Sequence, residues 1–295
     1  MDAVDTSKDL GEFLTSRRAR ITPQQAGLTL YGGNRRVPGL RRQEVAMLAG
    51  LSVEYLTRLE RGTAGGVSDS VLDALARALQ LDEAETSHLF DLARAARGSH
   101  RGPRRQSQSR VRPSVQRILD SMTTTPAFVR NGRLDVLATN PLGHVLYAPV
   151  FDEPARPANL ARFCFLDPRA GELYPNWDDA ADTSVALLRT EAGRDPYNKA
   201  LTNLVGELAT RSDAFRTRWA RHDVRLHRTG SKRFCHPVVG ELALAFDAME
   251  LPADPGLTLT AYSAEPGTAE EKLRLLASWA ATVAQPETAP AADQA

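Results

Sequence analysis

The stretch RRQEVAMLAGLSVEYLTRLERG, residues 41–62, restricts the fold more tightly than any other part of this chain. Ala46 and Gly50 lie four residues apart, on the side where two short helices would cross. The small Ala46 side chain lets the helices approach, and Gly50 can take the left-handed backbone that ends the first of them. Ser52 follows as an N-cap, its hydroxyl oxygen accepting from a free backbone N–H in the first turn of the next helix. The pattern predicts one helix over Arg41–Ala49 and another over Ser52–Arg61, with Val45, Leu48, Leu51, Leu56 and Leu59 as their shared core.

Two short helices joined by such a turn form a helix-turn-helix, whose second helix sets its N-terminal residues at base edges in the major groove. With positions 51, 56 and 59 turned inward, Val53, Glu54, Thr57 and Arg58 face outward. Arg58 suits a bidentate pair with guanine, Glu54 can accept from cytosine N4, and Val53 and Thr57 suit thymine methyls. Arg41 and Arg42 open the preceding helix, where cations meet phosphates and fix position without reading sequence. Ser52 at the helix start, and Arg35 and Arg36 in the loop before the unit, complete the candidate DNA contacts. Tyr55 either touches a phosphate or packs. Glu60 is expected to pair with an arginine of the first helix.

Charge agrees with a polyanion partner. The net charge is only +1, yet residues 1–112 hold 18 Lys and Arg against 13 Asp and Glu, while residues 113–295 hold 19 against 23. Within residues 17–62 nine arginines stand beside three glutamates. A basic region so confined is the footprint of nucleic acid binding. No stretch approaches ~18 consecutive apolar residues, and MDAVDTSKDL has neither a basic nor an apolar leader segment, so a cytoplasmic protein without a membrane role is expected. Cys164 and Cys235 are too few for a disulfide framework.

Around the central unit the chain reads as five helices in under 100 residues. Asp9 or Ser7 caps a first helix through LGEFLTSRRAR, with Leu10, Phe13 and Leu14 as its apolar face. A loop of roughly 20 residues follows, then the helix pair, then helices opened by Ser68 and Asp82. Residues 97–112, with six arginines and Gly, Pro, Ser and Gln punctuation, form a linker. Beyond it come a helix in SVQRILDSM, two strands around Asn131-Gly132, a helix in PLGHVLY, and amphipathic helices over residues 178–189 and 196–221. DVRLHRT, KRFCHPVVGELALAFDAMEL (two strands broken near Gly240) and LTLTAYSA are strand candidates, and AEEKLRLLASWAATV is a closing helix. The division is an all-α domain over 1–97, a basic linker over 98–112, an α+β domain with an antiparallel sheet over 113–283, and a disordered tail over 284–295.

Residues 40–62 resemble the XRE/Cro-type repressor helix-turn-helix, also called lambda-repressor-like, in which a glutamine usually opens the first helix of the unit; here Arg42 takes that place. RRVPGLRR, RFCFLDPRAGELYPNW, RWARHDVRLHRTGSKRFCHPVVGEL and YSAEPGT extend the resemblance to regulators with an MmyB-like ligand-binding domain. It covers residues 10–283. The resemblance implies a PAS-like sensory fold that holds a fatty-acid-like or other apolar small molecule. The candidate ligand residues are Phe163, Tyr174, Trp177, Trp219, His222, Arg233 and His236, with His222 and Arg233 on an acidic head group; Phe165 belongs to the same aromatic cluster. Apolar walls with a few polar anchors are the usual make-up of such sites.

Enzymatic chemistry is not expected. Cys235 and His236 are adjacent in a strand and point to opposite faces. The six histidines show no zinc spacing, phosphate loops are absent, and Asp178, Asp179 and Asp182 read as a solvated helix start. The expected protein is a transcriptional repressor that acts as a homodimer on a double-stranded DNA operator, controlled by an apolar small-molecule effector and without catalytic residues, metal or cofactor. The alternative is a constitutive DNA-binding dimer whose C-terminal domain serves only dimerisation or protein interaction.

Overall fold

Side-chain caps start the three helices after residue 51 in the N-terminal half. Ser52 Oγ accepts from the Tyr55 N–H at 3.1 Å, Ser68 Oγ from Val71 at 3.4 Å, and Asp82 from Glu85 at 2.8 Å. These caps set off α3 (Val53–Glu60), α4 (Asp69–Ala78) and α5 (Glu83–Ala96), after α1 (Thr6–Arg20) and α2 (Arg42–Ala49). In the computed structural model residues 6–28, 37–63, 66–97, 110–152 and 157–284 are described. Arg35 and Arg36, most of the linker and the tail beyond 284 lie outside the described residues. The first helix already includes Thr6, so Ser7 and Asp9 both stand inside it, where the Asp9 charge favours the helix dipole, and neither is the cap.

The chain divides into two compact units, Met1–Arg104 with Asp182–Leu226, and Arg105–Ala181 with His227–Ala295. The units do not follow a linear cut near residue 100, because residues 182–226 join the N-terminal helices. That segment carries the part of α11 (Trp177–Arg194) from Asp182 onward, α12 (Lys199–Arg211) and α13 (Asp213–Trp219). DVRLHRT is not a strand before Thr229. Its alternating Val224 and Leu226 instead pack on the core of α1–α5, which contains Phe13, Leu14, Leu56, Leu59, Leu72, Leu75 and Leu89. Buried Arg17 of α1 ties the segment down, donating to the Glu85 carboxylate and the His222 carbonyl.

In the second unit five antiparallel strands lie in the order β2-β1-β5-β4-β3. They are β1 (Ala127–Asn131), β2 (Val136–Thr139), β3 (Thr229–His236), β4 (Gly240–Glu250) and β5 (Leu257–Ser263). Period two sorts the side chains. Val129 and Leu259 pair across β1 and β5 and join Val115 and Leu119 of α6 (Pro113–Ser121) on one face. Phe128, Phe234, Phe246 and Tyr262 point to the other, larger core. That core also takes in α7 (Pro141–Leu146), α8 (Ala148–Phe151), α9 (Leu160–Leu166), α10 (Ala170–Leu173) and α14 (Thr268–Ala284). Fully buried Asn140 fixes the start of α7: its Oδ1 accepts from Gly143 and Ala127, and its Nδ2 donates to the Met122 and Thr125 carbonyls. A buried amide with all its groups bonded is what such a site requires. The α+β architecture expected for this half is present.

Candidate functional site

Gly50 sits at φ 66°, ψ 33°, the left-handed conformation that ends α2, and the Leu51 N–H returns to the Ala46 carbonyl at 2.8 Å. The three residues 50–52 turn the chain into α3. Val45, Ala46, Leu56 and Leu59 are buried at the crossing, as the sequence indicates, but Leu48 is 38 % exposed and Leu51 half-buried. The buried stripe of α2 runs through Val45, Ala46 and Ala49, because only small residues fit where the helices approach. Gly11 of α1 serves the same end: a Cβ there would fall within the contact radius of the Glu60 carbonyl oxygen.

On the far side of α3, Glu54 and Arg58 are exposed one turn apart, and neither forms an ion pair among the described residues. Val53 and Thr57 are half-buried beside them, and the Thr57 hydroxyl donates to the Val53 carbonyl at 2.8 Å. Tyr55 is half-buried and packs on the core. Ser52 is exposed, with its oxygen held by the capping bond. Arg41 is exposed at the N-cap of α2, its backbone N–H donating to the Glu44 carboxylate at 2.6 Å.

Glu60, its side chain 2 % exposed, is the polar centre of this unit. Arg18 of α1 grips both its oxygens, Nε at 2.6 Å and Nη2 at 3.2 Å, and donates Nη1 to the Leu40 carbonyl. Arg42 adds a bond to the second oxygen from the start of α2. Three helices are thus pinned through one carboxylate. Arg42 keeps 46 % of its side chain exposed while its direction is set by Glu60.

The seven candidate ligand residues do not converge. Trp219 and His222 belong to the first unit and line a cavity of about 480 Å³ there. The other five belong to the second unit. Phe163 and Tyr174 are buried with rings edge to face at 5.9 Å, and Trp177 donates Nε1–H to the Cys164 carbonyl at 2.9 Å and meets Phe165 edge to face. His236 is buried, yet both its nitrogens are taken: Nε2 bonds the Val145 carbonyl at 3.1 Å and Nδ1 accepts from the Val238 N–H. It is a structural pin and has no nitrogen left for a ligand. Arg233 is exposed and donates to Asn176 at 2.8 Å, so it does not enter the core as an acidic-head anchor. Cys235 is exposed beside buried His236, on opposite faces as strand geometry demands.

The group that does enter is Lys232, one residue earlier on β3. Its Nζ lies 4.3 Å from the Tyr174 ring centroid and 5.4 Å from those of Tyr147 and Phe234. Among the described residues its hydrogen bond is to the Tyr147 hydroxyl at 3.3 Å, and that hydroxyl also bonds Tyr262 Oη. Enclosure by rings pushes the Lys232 amine down to about 8, and burial raises Tyr262 to about 12. The cation is held by ring faces and a neutral oxygen, and among the described residues no carboxylate pairs with it. Strand parity carried this signal: if Phe234 and His236 face the core, so must Lys232, and Arg233 must face away.

Among the described residues no group of His, Cys, Asp and Glu could hold a metal ion, and no helix is long and apolar enough to cross a membrane. The chain matches the family model of the MmyB-like transcription regulator ligand binding domain over residues 111–276, and that of a helix-turn-helix domain over residues 9–89. No curated protein matches it.

Proposed function

From the premise that this chain belongs to the MmyB-like transcription regulators, DNA-binding proteins that carry a ligand-binding domain, we propose that it is a cytoplasmic repressor that reads its operator through α3 and answers to an apolar effector. The observation that carries the DNA reading is the pair Glu54 and Arg58, exposed and unpaired among the described residues on a helix fixed by Ser52 and Glu60. A pre-set side-chain face loses little freedom on docking, and Arg58 at such a position suits guanine. Arg41 and Arg42 supply phosphate contacts.

For the effector, a PAS-like interior in the second unit is supported by the Lys232 cation among Tyr147, Tyr174 and Phe234, unpaired among the described residues. A fatty-acid-like molecule would place its carboxylate on that amine and its chain among the rings. The protein acts as a homodimer: Leu275 and Trp279, one turn apart on α14 and 64 % and 41 % exposed, offer an apolar stripe for a second copy. Two copies would engage half-sites about 34–36 Å apart, or multiples of that.

The test begins with selection of bound sequences from random duplexes, followed by titration of wild type and Arg58→Ala on the selected site and on random DNA. Arg58→Ala should lose about 1–3 kcal/mol on the selected site, roughly 5- to 150-fold, and lose preference at one base position. Equal losses on both DNAs would remove the base-reading role.

A further inference from the structure

A cavity of about 480 Å³ opens in the first unit, where α1 and α5 meet α11, α12 and the turn after α13. The volume lies in the range of small-molecule sites, about 300–1,000 Å³. Its apolar wall is Leu92, Leu201, Val205 and Trp219. At its polar end Arg189 is 6 % exposed, its guanidinium carbon 4.0 Å over the Trp219 ring.

The hydrogen-bond partners of Arg189 among the described residues are neutral. Nη2 donates to the Trp219 carbonyl, and Nη1 lies 3.2 Å from His222 Nδ1. His222 accepts there as an uncharged ring: burial and the neighbouring arginines Arg189, Arg17 and Arg20 push it down to about 4. Its Nε2 then faces Glu12 at 3.4 Å. The Arg189 Nε is buried with no hydrogen-bond partner among the described residues, and so is Nδ1 of His88 on the same cavity. A buried guanidinium is ordinarily matched by a carboxylate, and two orphaned nitrogens at one cavity are exceptional. Arg189, lowered to about 10 by burial, remains a cation at neutral pH.

The charges of Asp9 and Glu12 on the cavity, and of Asp223, favour the Arg189 cation, while its hydrogen bonds go to Trp219 and His222. Glu12 is exposed and Asp9 and Asp195 half-buried, so water screens them where it cannot screen Arg189. We propose that the cavity binds a small organic anion, with a single carboxylate on Arg189 and an apolar body against Trp219, Leu201 and Val205. The site lies in the unit that holds α3 and stands whether or not an effector occupies the second unit. Helix α1 connects the two places, carrying Asp9 and Glu12 on the cavity and Arg18 on Glu60.

Calorimetric titration of the full chain with 2-naphthoate, 2-naphthamide and 2-naphthylmethylammonium separates charge from shape. Naphthoate should bind at least tenfold more tightly than the amide, and the ammonium more weakly still. Arg189→Gln should abolish the preference for the anion, and Val205→Trp, which fills the apolar wall, should abolish binding of all three. Circular dichroism reports whether each variant folds; if Arg189→Gln does not, Val205→Trp and the three-ligand ranking decide. No binding of naphthoate, equal binding in both variants, or a preference for the ammonium each overturns the proposal.

Discussion

Replacing Glu60 by Gln keeps the shape of the side chain and removes its charge. Gln offers one acceptor where Glu60 has two, and its amide N–H₂ would face a guanidinium that also only donates. Arg18, whose side chain is 14 % exposed, would lose one of its two bonds or repel the amide, and Arg42 would lose its anchor. Breaking a buried ion pair by removing one partner costs about 3–5 kcal/mol. Because water screens the Arg42 arm, the lower end applies, about 3 kcal/mol. For a unit of this size each kcal/mol moves the transition by roughly 2–4 °C, so the Glu60→Gln midpoint should fall by about 6–12 °C in differential scanning calorimetry. Arg18→Met combined with Glu60→Leu should cost much less than the two single changes together, since both ends of the buried pair are then apolar. A Glu60→Gln midpoint within about 1 °C of wild type, or single costs that add within about 0.5 kcal/mol, would refute the account.

Lys232→Met should remove a titration: the folded amine is lowered to about 8 from 10.5, so the unfolded chain binds more protons between those values, and wild-type stability relative to the variant rises with pH from about 8 to 10.5. Denaturant midpoints of the two proteins across that range check this, and parallel curves would contradict it. His88, buried and lowered to about 3, gives a slope at lower pH. Stability should fall as pH drops from 6.5, by up to about 1.4 kcal/mol per pH unit, and His88→Phe should lose that slope in acid-unfolding curves. Gly11→Ala should destabilise by about 1–3 kcal/mol, because its Cβ would meet the Glu60 carbonyl; a thermal melt equal to wild type would show that α1 can shift away.

Where local geometry decides, the sequence was readable. Gly50, Ser52, Ser68 and Asp82 mark helix ends by their own backbone and side-chain chemistry, and each stands where that chemistry places it. Leu48 stays outside the core because an eight-residue helix has room for only one narrow buried stripe, and at a close crossing alanines help fill it. DVRLHRT shows the limit of period two. An extended segment strapped across helices alternates like a strand, and only the absence of a hydrogen-bonded neighbour tells them apart. Strand parity from Phe234 and His236 puts Lys232 inward and Arg233 outward, although the two cations are alike in charge. Nothing local links Trp219 or His222 to α1. Their partner Arg189 stands about 30 residues earlier, and Glu12 more than 200.

The first unit is built from two stretches of chain with 77 residues between them, and this gives it a birth order. On the ribosome α1 to α5 emerge long before Val224 and Leu226, which complete their core. At about 5–20 residues per second, roughly 6–24 s pass between synthesis of residue 104 and residue 226. For that interval Arg17 has Glu85 but neither the His222 carbonyl nor Asp223, and the core of α1–α5 lacks its last apolar cover. The nascent protein therefore spends its first seconds as an unfinished reader, closed only when translation has passed residue 226. Codon choice between those points, or a chaperone that recognises the uncovered core, would govern how many chains mature.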